Sequence, residues 1–217
     1  MASAQDPCLL FDLDGTLVDS EGLCYQAFLD LLPDLVDTAD GLVRRYRGTQ
    51  LSNILADFET KLSRTLGEDF EPRYRERVAE LFTTSLKPTP GTTEALRALS
   101  HPRCIASAGP QKKIRHALSV TGLDRFFKDE HLFSCYDIQK WKPEPDLYLQ
   151  AAKAMGYEPD QCIVIEDSEP GVQAGLAAKM RVLLYDHEQS YRGLEPTVRF
   201  TEMAELPEVL AHINGRG

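Results

Sequence analysis

The chain has 217 residues, 42% of them hydrophobic and 27% charged, with a formal net charge of −10. That is enough apolar material for a sizeable core in one domain, or in one domain carrying a smaller insert. The acidic balance argues against nucleic acid and anionic membranes as partners, since both are bound through positive patches. A small anionic substrate stays compatible if a metal and local lysines reverse the field at its site.

No apolar run approaches the roughly 18 residues needed to cross a bilayer. Residues 1–7 lack a basic region followed by an apolar stretch, so they do not read as a signal peptide. The five cysteines form no C-x-x-C pair and read as reduced structural residues, so a cytoplasmic location is expected.

In chain order, residues 8–11 form a short apolar run suited to a buried strand, followed by Asp12, Leu13, Asp14 and Gly15. Two carboxylates so close raise one another's pKa unless a cation or a shared proton intervenes, and a hard divalent cation favours such oxygen donors. The same four residues also suit an ordinary turn after a strand. Residues 21–32, 35–46, 51–62 and 72–86 carry apolar side chains at helical spacing, with breaks at Pro33 and Gly48 and no strand pattern among them. This block reads as a small helical unit inserted after the first strand.

From Pro88 the pattern changes. Short apolar runs at 104–106, 132–133, 162–165 and 181–185 alternate with helical segments at 92–99, 112–120, 144–155, 172–178 and about 205–213. Alternation of this kind predicts a parallel α/β sheet whose right-handed crossovers bring the strand ends to one edge. Residues 186–200 read as loop with one short strand.

Polar residues follow those strand ends. The first run leads to Asp12 and Asp14, the second to Ser107, Ala108 and Gly109, and the run at 162–165 to Glu166, Asp167 and Ser168. Lys142 stands before a helix in Trp141-Lys142-Pro143-Glu144-Pro145. Each has a plain alternative: Ser107 as a helix cap, Lys142 as a solvated lysine, Glu166 and Asp167 as partners of a helix dipole. Together at one edge they suit phosphoryl transfer, with a metal bridging carboxylates and phosphate and one carboxylate free to attack.

In this order the patches resemble the motifs of the haloacid dehalogenase-like hydrolases. Asp12-Leu13-Asp14-Gly15-Thr16 is similar to the first motif, Ser107 to the second, Lys142 to the third, and Glu166-Asp167 to the fourth. Within that superfamily the chain resembles the β-phosphoglucomutase-like subgroup. Residues 107–110 and 136–143 are similar to the corresponding segments of its bacterial phosphatases acting on 6-phosphogluconate.

The resemblance implies a Rossmann-like parallel sheet core, residues 1–19 and 87–217, with an inserted helical cap, residues 20–86. It implies a Mg²⁺-dependent phosphatase acting on a small phosphorylated sugar or sugar acid through an aspartyl-phosphate. The alternative is a β-phosphoglucomutase-type sugar-phosphate isomerase. Asp12 is then the nucleophile and Asp14 the general acid and base, with Thr16 helping to position Asp14. Asp12, Asp14 through its carbonyl, and Asp167 would hold Mg²⁺, with Glu166 in support. Ser107, the Ala108 N–H and Lys142 would grip the phosphate.

The cap loop Arg47-Gly48-Thr49-Gln50 is similar to the substrate-facing loop of relatives. Arg47 there suits a carboxylate or second anionic group, or a plain surface position. Arg44, Arg45, Lys112 and Lys113 are weaker candidates, and Trp141 reads as packing. Ala108 where many relatives carry Asn removes a side-chain contact to substrate. Cys24 where the mutases carry His, and Thr16 where they often carry a larger aliphatic residue, favour hydrolysis. A monomer is the default the family implies.

Overall fold

The computed structural model describes residues 6–189, 191, 193–213 and 215. The readings of residues 1–7 and 186–200 therefore fall partly outside the described residues.

Strands β1 (Cys8–Phe11), β2 (Arg103–Ser107), β3 (Leu132–Ser134), β4 (Cys162–Glu166), β5 (Arg181–Tyr185) and β6 (Val198–Phe200) form one sheet in the order β3-β2-β1-β4-β5-β6. Every neighbouring pair is parallel. The first strand thus lies in the middle, where strand order reverses, and the crevice beyond such a switch point is where open α/β sheets bind ligands.

β1 and β4 are buried throughout, which is why they read as unbroken apolar runs. Leu9, Phe11, Ile163 and Ile165 face one apolar cluster, and Cys8, Leu10, Cys162 and Val164 face the other. This alternation is set by the two-residue period of a strand. Helices α1 (Glu21–Leu31), α2 (Ala39–Tyr46), α3 (Leu51–Leu62) and α4 (Phe70–Ser85) follow β1. An aromatic cluster joins them: the Phe28 ring stacks 4.0 Å from Tyr74 and meets Phe58 edge-on at 5.1 Å. The two chain passages linking these helices to the sheet run side by side, with the Asp19 N–H donating to the Lys87 carbonyl at 3.0 Å.

The remaining helices are α5 (Thr92–Ala98), α6 (Gln111–Thr121), α7 (Cys135–Ile138), α8 (Asp146–Met155), α9 (Glu169–Ala177) and α10 (Leu206–Ile213). α2 begins at residue 39 rather than 35 because the Thr38 hydroxyl accepts from the Gly41 N–H at 3.0 Å and caps it. α9 starts three residues earlier than the periodicity predicts, capped by the Ser168 hydroxyl, which accepts from the Gly171 N–H at 3.3 Å. The single turn of α7 is too short to leave a periodic signal. No described helix is long and apolar enough to cross a membrane, and all five cysteines are free thiols.

Candidate active site

The C-terminal ends of β1, β2 and β4 converge below α1–α4 on a cavity of about 1110 Å³. Asp12 stands at its floor, 6% exposed, with its N–H donating to the Ile165 carbonyl of β4 at 2.9 Å. The chain then turns through Gly15 at φ +82°, where a Cβ would lie 2.3 Å from Oδ2 of Asp167. Glycine is required there by conformation and by space alike.

Lys142 enters from the segment before α8 and is buried between two carboxylates. Its Nζ lies 2.6 Å from Asp12 Oδ1 and 2.7 Å from Glu166 Oε1. Glu166 also accepts from the Ser168 N–H at 2.6 Å and hydroxyl at 2.9 Å, and from the Tyr148 hydroxyl at 3.3 Å. Ser107 ends β2 fully buried and caps nothing on α6. Its hydroxyl accepts from the Gly109 N–H at 3.0 Å, leaving exposed Ala108 at the apex of the turn, on the cavity wall.

Burial dominates the titration of the acids. It pushes Asp12 up to about 7, against the pull of Lys142 and with help from Glu166 and Asp14. Asp167 lies well above the carboxylate range for the same first reason, reinforced by Glu166, Glu21 and Asp12. Asp14 behaves oppositely. Burial works to raise it, but the charge and hydrogen bond of Lys113, with a hydrogen bond from Ser20, hold it below its usual value.

A family model described as haloacid dehalogenase-like hydrolase matches residues 9–185. The chain belongs to that family. A 6-phosphogluconate phosphatase of Escherichia coli strain K12 is 36% identical to this haloacid dehalogenase-like hydrolase over 206 residues, 93% of each chain. Its enzyme class is that of the phosphatases, phosphoric monoester hydrolases. A haloacid dehalogenase-like protein from Agrobacterium tumefaciens has a similar structure, with a TM-score of 0.82 at 29% identity over 97% of this chain and 100% of that one. A family hydrolase from Deinococcus radiodurans, solved with phosphate and sodium bound, has a TM-score of 0.73 at 29% identity over 98% of each chain.

Asp12, Asp14, Ser107, Ala108, Lys142, Glu166 and Asp167 all come together in this hydrolase, as their strand-end positions predict. Thr16 departs from expectation. Its buried hydroxyl donates to Asp167 Oδ1 at 3.0 Å, so it fixes Asp167 and not Asp14. Arg47 departs more: it is tied to Glu21 at 2.8 Å and Glu188 at 3.1 Å, so its charge is already committed to protein carboxylates. Its neighbour Gly48 does line the cavity, seated against Pro170 at φ +73°. Trp141, read as packing, meets Tyr136 edge-on at 5.8 Å and also lines the cavity. Lys113 and Ser20 hold Asp14, the first rated a weaker candidate and the second unnoticed, because only the fold brings residue 113 to residue 14.

The donors fit a hard cation in kind. All are oxygens, and Asp167 is a buried carboxylate that accepts from the Thr16 hydroxyl and feels the charge of Arg47. They are not drawn around a common point: among the described residues no three His, Cys, Asp or Glu side chains are gathered closely enough to hold a metal. Lys142 and Lys113 stand among the acids and take them as ion-pair partners.

Proposed function

We propose that this phosphatase hydrolyses a small phosphorylated sugar or sugar acid resembling 6-phosphogluconate, through an aspartyl-phosphate on Asp12. The observation that carries the reading is the pairing of Asp12 with buried Lys142 on the cavity floor, with Asp14 two residues on.

In the first step a carboxylate oxygen of Asp12 attacks phosphorus. The ester P–O bond breaks, its electron pair stays on the leaving oxygen, and Asp14 supplies the proton. In the second step water attacks phosphorus, Asp14 takes its proton, and the bond to Asp12 breaks to return the carboxylate and free phosphate.

Lys113 and Ser20 keep Asp14 ionised before substrate arrives, the form needed as base. An arriving phosphate dianion favours its protonation, the form needed as acid. Lys142, the Ser107 hydroxyl and the Ala108 N–H supply positive charge and donors for the phosphate oxygens. Mg²⁺, held by Asp12, Asp167 and the Asp14 carbonyl with Glu166 in support, would neutralise charge between nucleophile and phosphate. Helices α1–α4, residues 20–86, act as a cap over the core of residues 1–19 and 87–217, and their closure excludes water until the phosphate is gripped.

The test is phosphate release with Mg²⁺ from a panel of sugar phosphates, 6-phosphogluconate and mononucleotides, with Asp12→Asn alongside. Release from the sugar acids, lost in Asp12→Asn, is expected. Unchanged release by Asp12→Asn overturns the mechanism. Conversion of a hexose 1-phosphate to the 6-phosphate faster than phosphate release overturns hydrolysis in favour of the isomerase.

A further inference from the structure

Lys113 is a half-buried cation of the cavity wall to which the scheme above gives only an electrostatic part. It sits in the first turn of α6, 99 residues from Asp14 in sequence, yet its Nζ reaches 2.7 Å from Asp14 Oδ1. The Ser20 hydroxyl donates to the same oxygen at 2.5 Å. Both contacts fall on Oδ1. The other oxygen, Oδ2, faces the turn that carries the phosphate-gripping groups: a Cβ on Gly109 would lie 3.7 Å from Oδ2 and 3.4 Å from the Ser107 hydroxyl oxygen.

Lys113 is itself held in place. Its Nζ lies 5.6 Å from the centre of the Phe82 ring on α4, and its Cδ stands 3.3 Å from the Cβ position of Gly109. Its side chain is 23% exposed. An ammonium confined under an aromatic ring and directed at one carboxylate oxygen fixes the rotation of that carboxyl group. A freely rotating carboxyl would present either oxygen.

We infer that Lys113 is a positioning residue for the hydrolysis: by pinning Oδ1 with Ser20 it makes Oδ2 the oxygen that gives and takes the proton at the phosphate. The inference rests on the reading of Asp14 as acid and base. Misplacing a reacting group by about 1 Å costs on the order of a hundredfold in rate, and that sets the size of the effect.

The experiment compares wild type, Lys113→Met, Lys113→Arg, Asp14→Asn and the double variant Asp14→Asn/Lys113→Met in the presence of Mg²⁺. Two substrates are used, 6-phosphogluconate and 4-nitrophenyl phosphate. With 6-phosphogluconate, Lys113→Met is expected to lower kcat about a hundredfold with KM little changed, and Lys113→Arg to restore most of the loss. The double variant should be no slower than Asp14→Asn. With 4-nitrophenyl phosphate the leaving group needs no proton, so Lys113→Met should release a burst of nitrophenolate equal to the enzyme and then turn over slowly. A structural defect would lower burst and turnover together. Lys113→Gln keeps the measurement open if the methionine variant does not fold.

Wild-type kcat in Lys113→Met overturns the inference. So does an equal slowing by Lys113→Met with Asp14 present or replaced, because Lys113 would then act on substrate directly. Failure of the underlying reading is seen separately, as undiminished turnover in Asp14→Asn.

Discussion

Replacing Lys142 by methionine removes the cation 2.6 Å from Asp12 and 2.7 Å from Glu166, in a cluster whose side chains are 6%, 8% and 1% exposed. Removing one partner of a buried ion pair costs about 3–5 kcal/mol, because the other charge stays buried. The loss falls mainly on Asp12, since Glu166 keeps its bonds from Ser168 and Tyr148. For a domain of this size each kcal/mol moves Tm by about 2–4 °C, so Tm should fall by roughly 6–20 °C at about pH 8. The deficit should shrink at about pH 6. Asp12, raised to about 7 even with Lys142 beside it, rises further in the variant and becomes neutral. Asp12→Asn combined with Lys142→Met should regain more than half of the loss. Thermal unfolding followed by circular dichroism at both pH values reads all of this. A fall under about 2 °C at pH 8, or a deficit that widens as pH drops, would refute the reasoning.

A second prediction concerns pH and metal together. Asp12 and Asp167 have folded-state pKa values above their unfolded ones, so the folded protein holds extra protons. Their contribution to stability is present at low pH and is lost as pH rises through about 7 for Asp12. Without divalent metal, Tm should fall between about pH 5.5 and about pH 8 on account of these groups. Excess MgCl₂ should raise Tm more at the upper pH, because a cation binds only the ionised acids. An equal Mg²⁺ effect at both pH values would count against the site. A third prediction separates the two partners of Arg47. Its bond to Glu21 is enclosed, with 13% and 17% side-chain exposure, whereas Glu188 is 47% exposed. Arg47→Met should cost about 2–4 kcal/mol in urea unfolding, and Glu188→Gln under about 1 kcal/mol. Similar costs for both would show that burial does not govern these pairs.

The strand-end acids and Ser107 were legible because each lies beside a short apolar run, and a parallel sheet carries every such run to the same edge. The helical insert was legible because its apolar residues keep helical spacing without interruption by strand pattern. What escaped depends on partners far apart in sequence. Thr16 meets Asp167 across 151 residues and Lys113 meets Asp14 across 99, and no local pattern encodes either meeting. Arg47 read as available for substrate because its partners, Glu21 in α1 and Glu188 beyond β5, are fixed only by the fold. The starts of α2 and α9 were missed by a few residues because Thr38 and Ser168, as side-chain caps, set them.

The central place of β1 in the sheet has a consequence for how the protein is made. Asp12 follows directly on β1, and the strands that pair with β1 begin at residues 103 and 162. Its cation follows 130 residues later. Until β4 has emerged, the Asp12 N–H lacks the Ile165 carbonyl to which it donates, and the middle of the sheet is incomplete. The insert of α1–α4 is complete well before that point and carries its own aromatic cluster. Synthesis therefore completes the helical insert before the sheet. Contacts this distant in sequence slow folding, because loop closure must precede any gain from pairing. A chain truncated before residue 162 lacks β4 and, with it, Glu166 and Asp167.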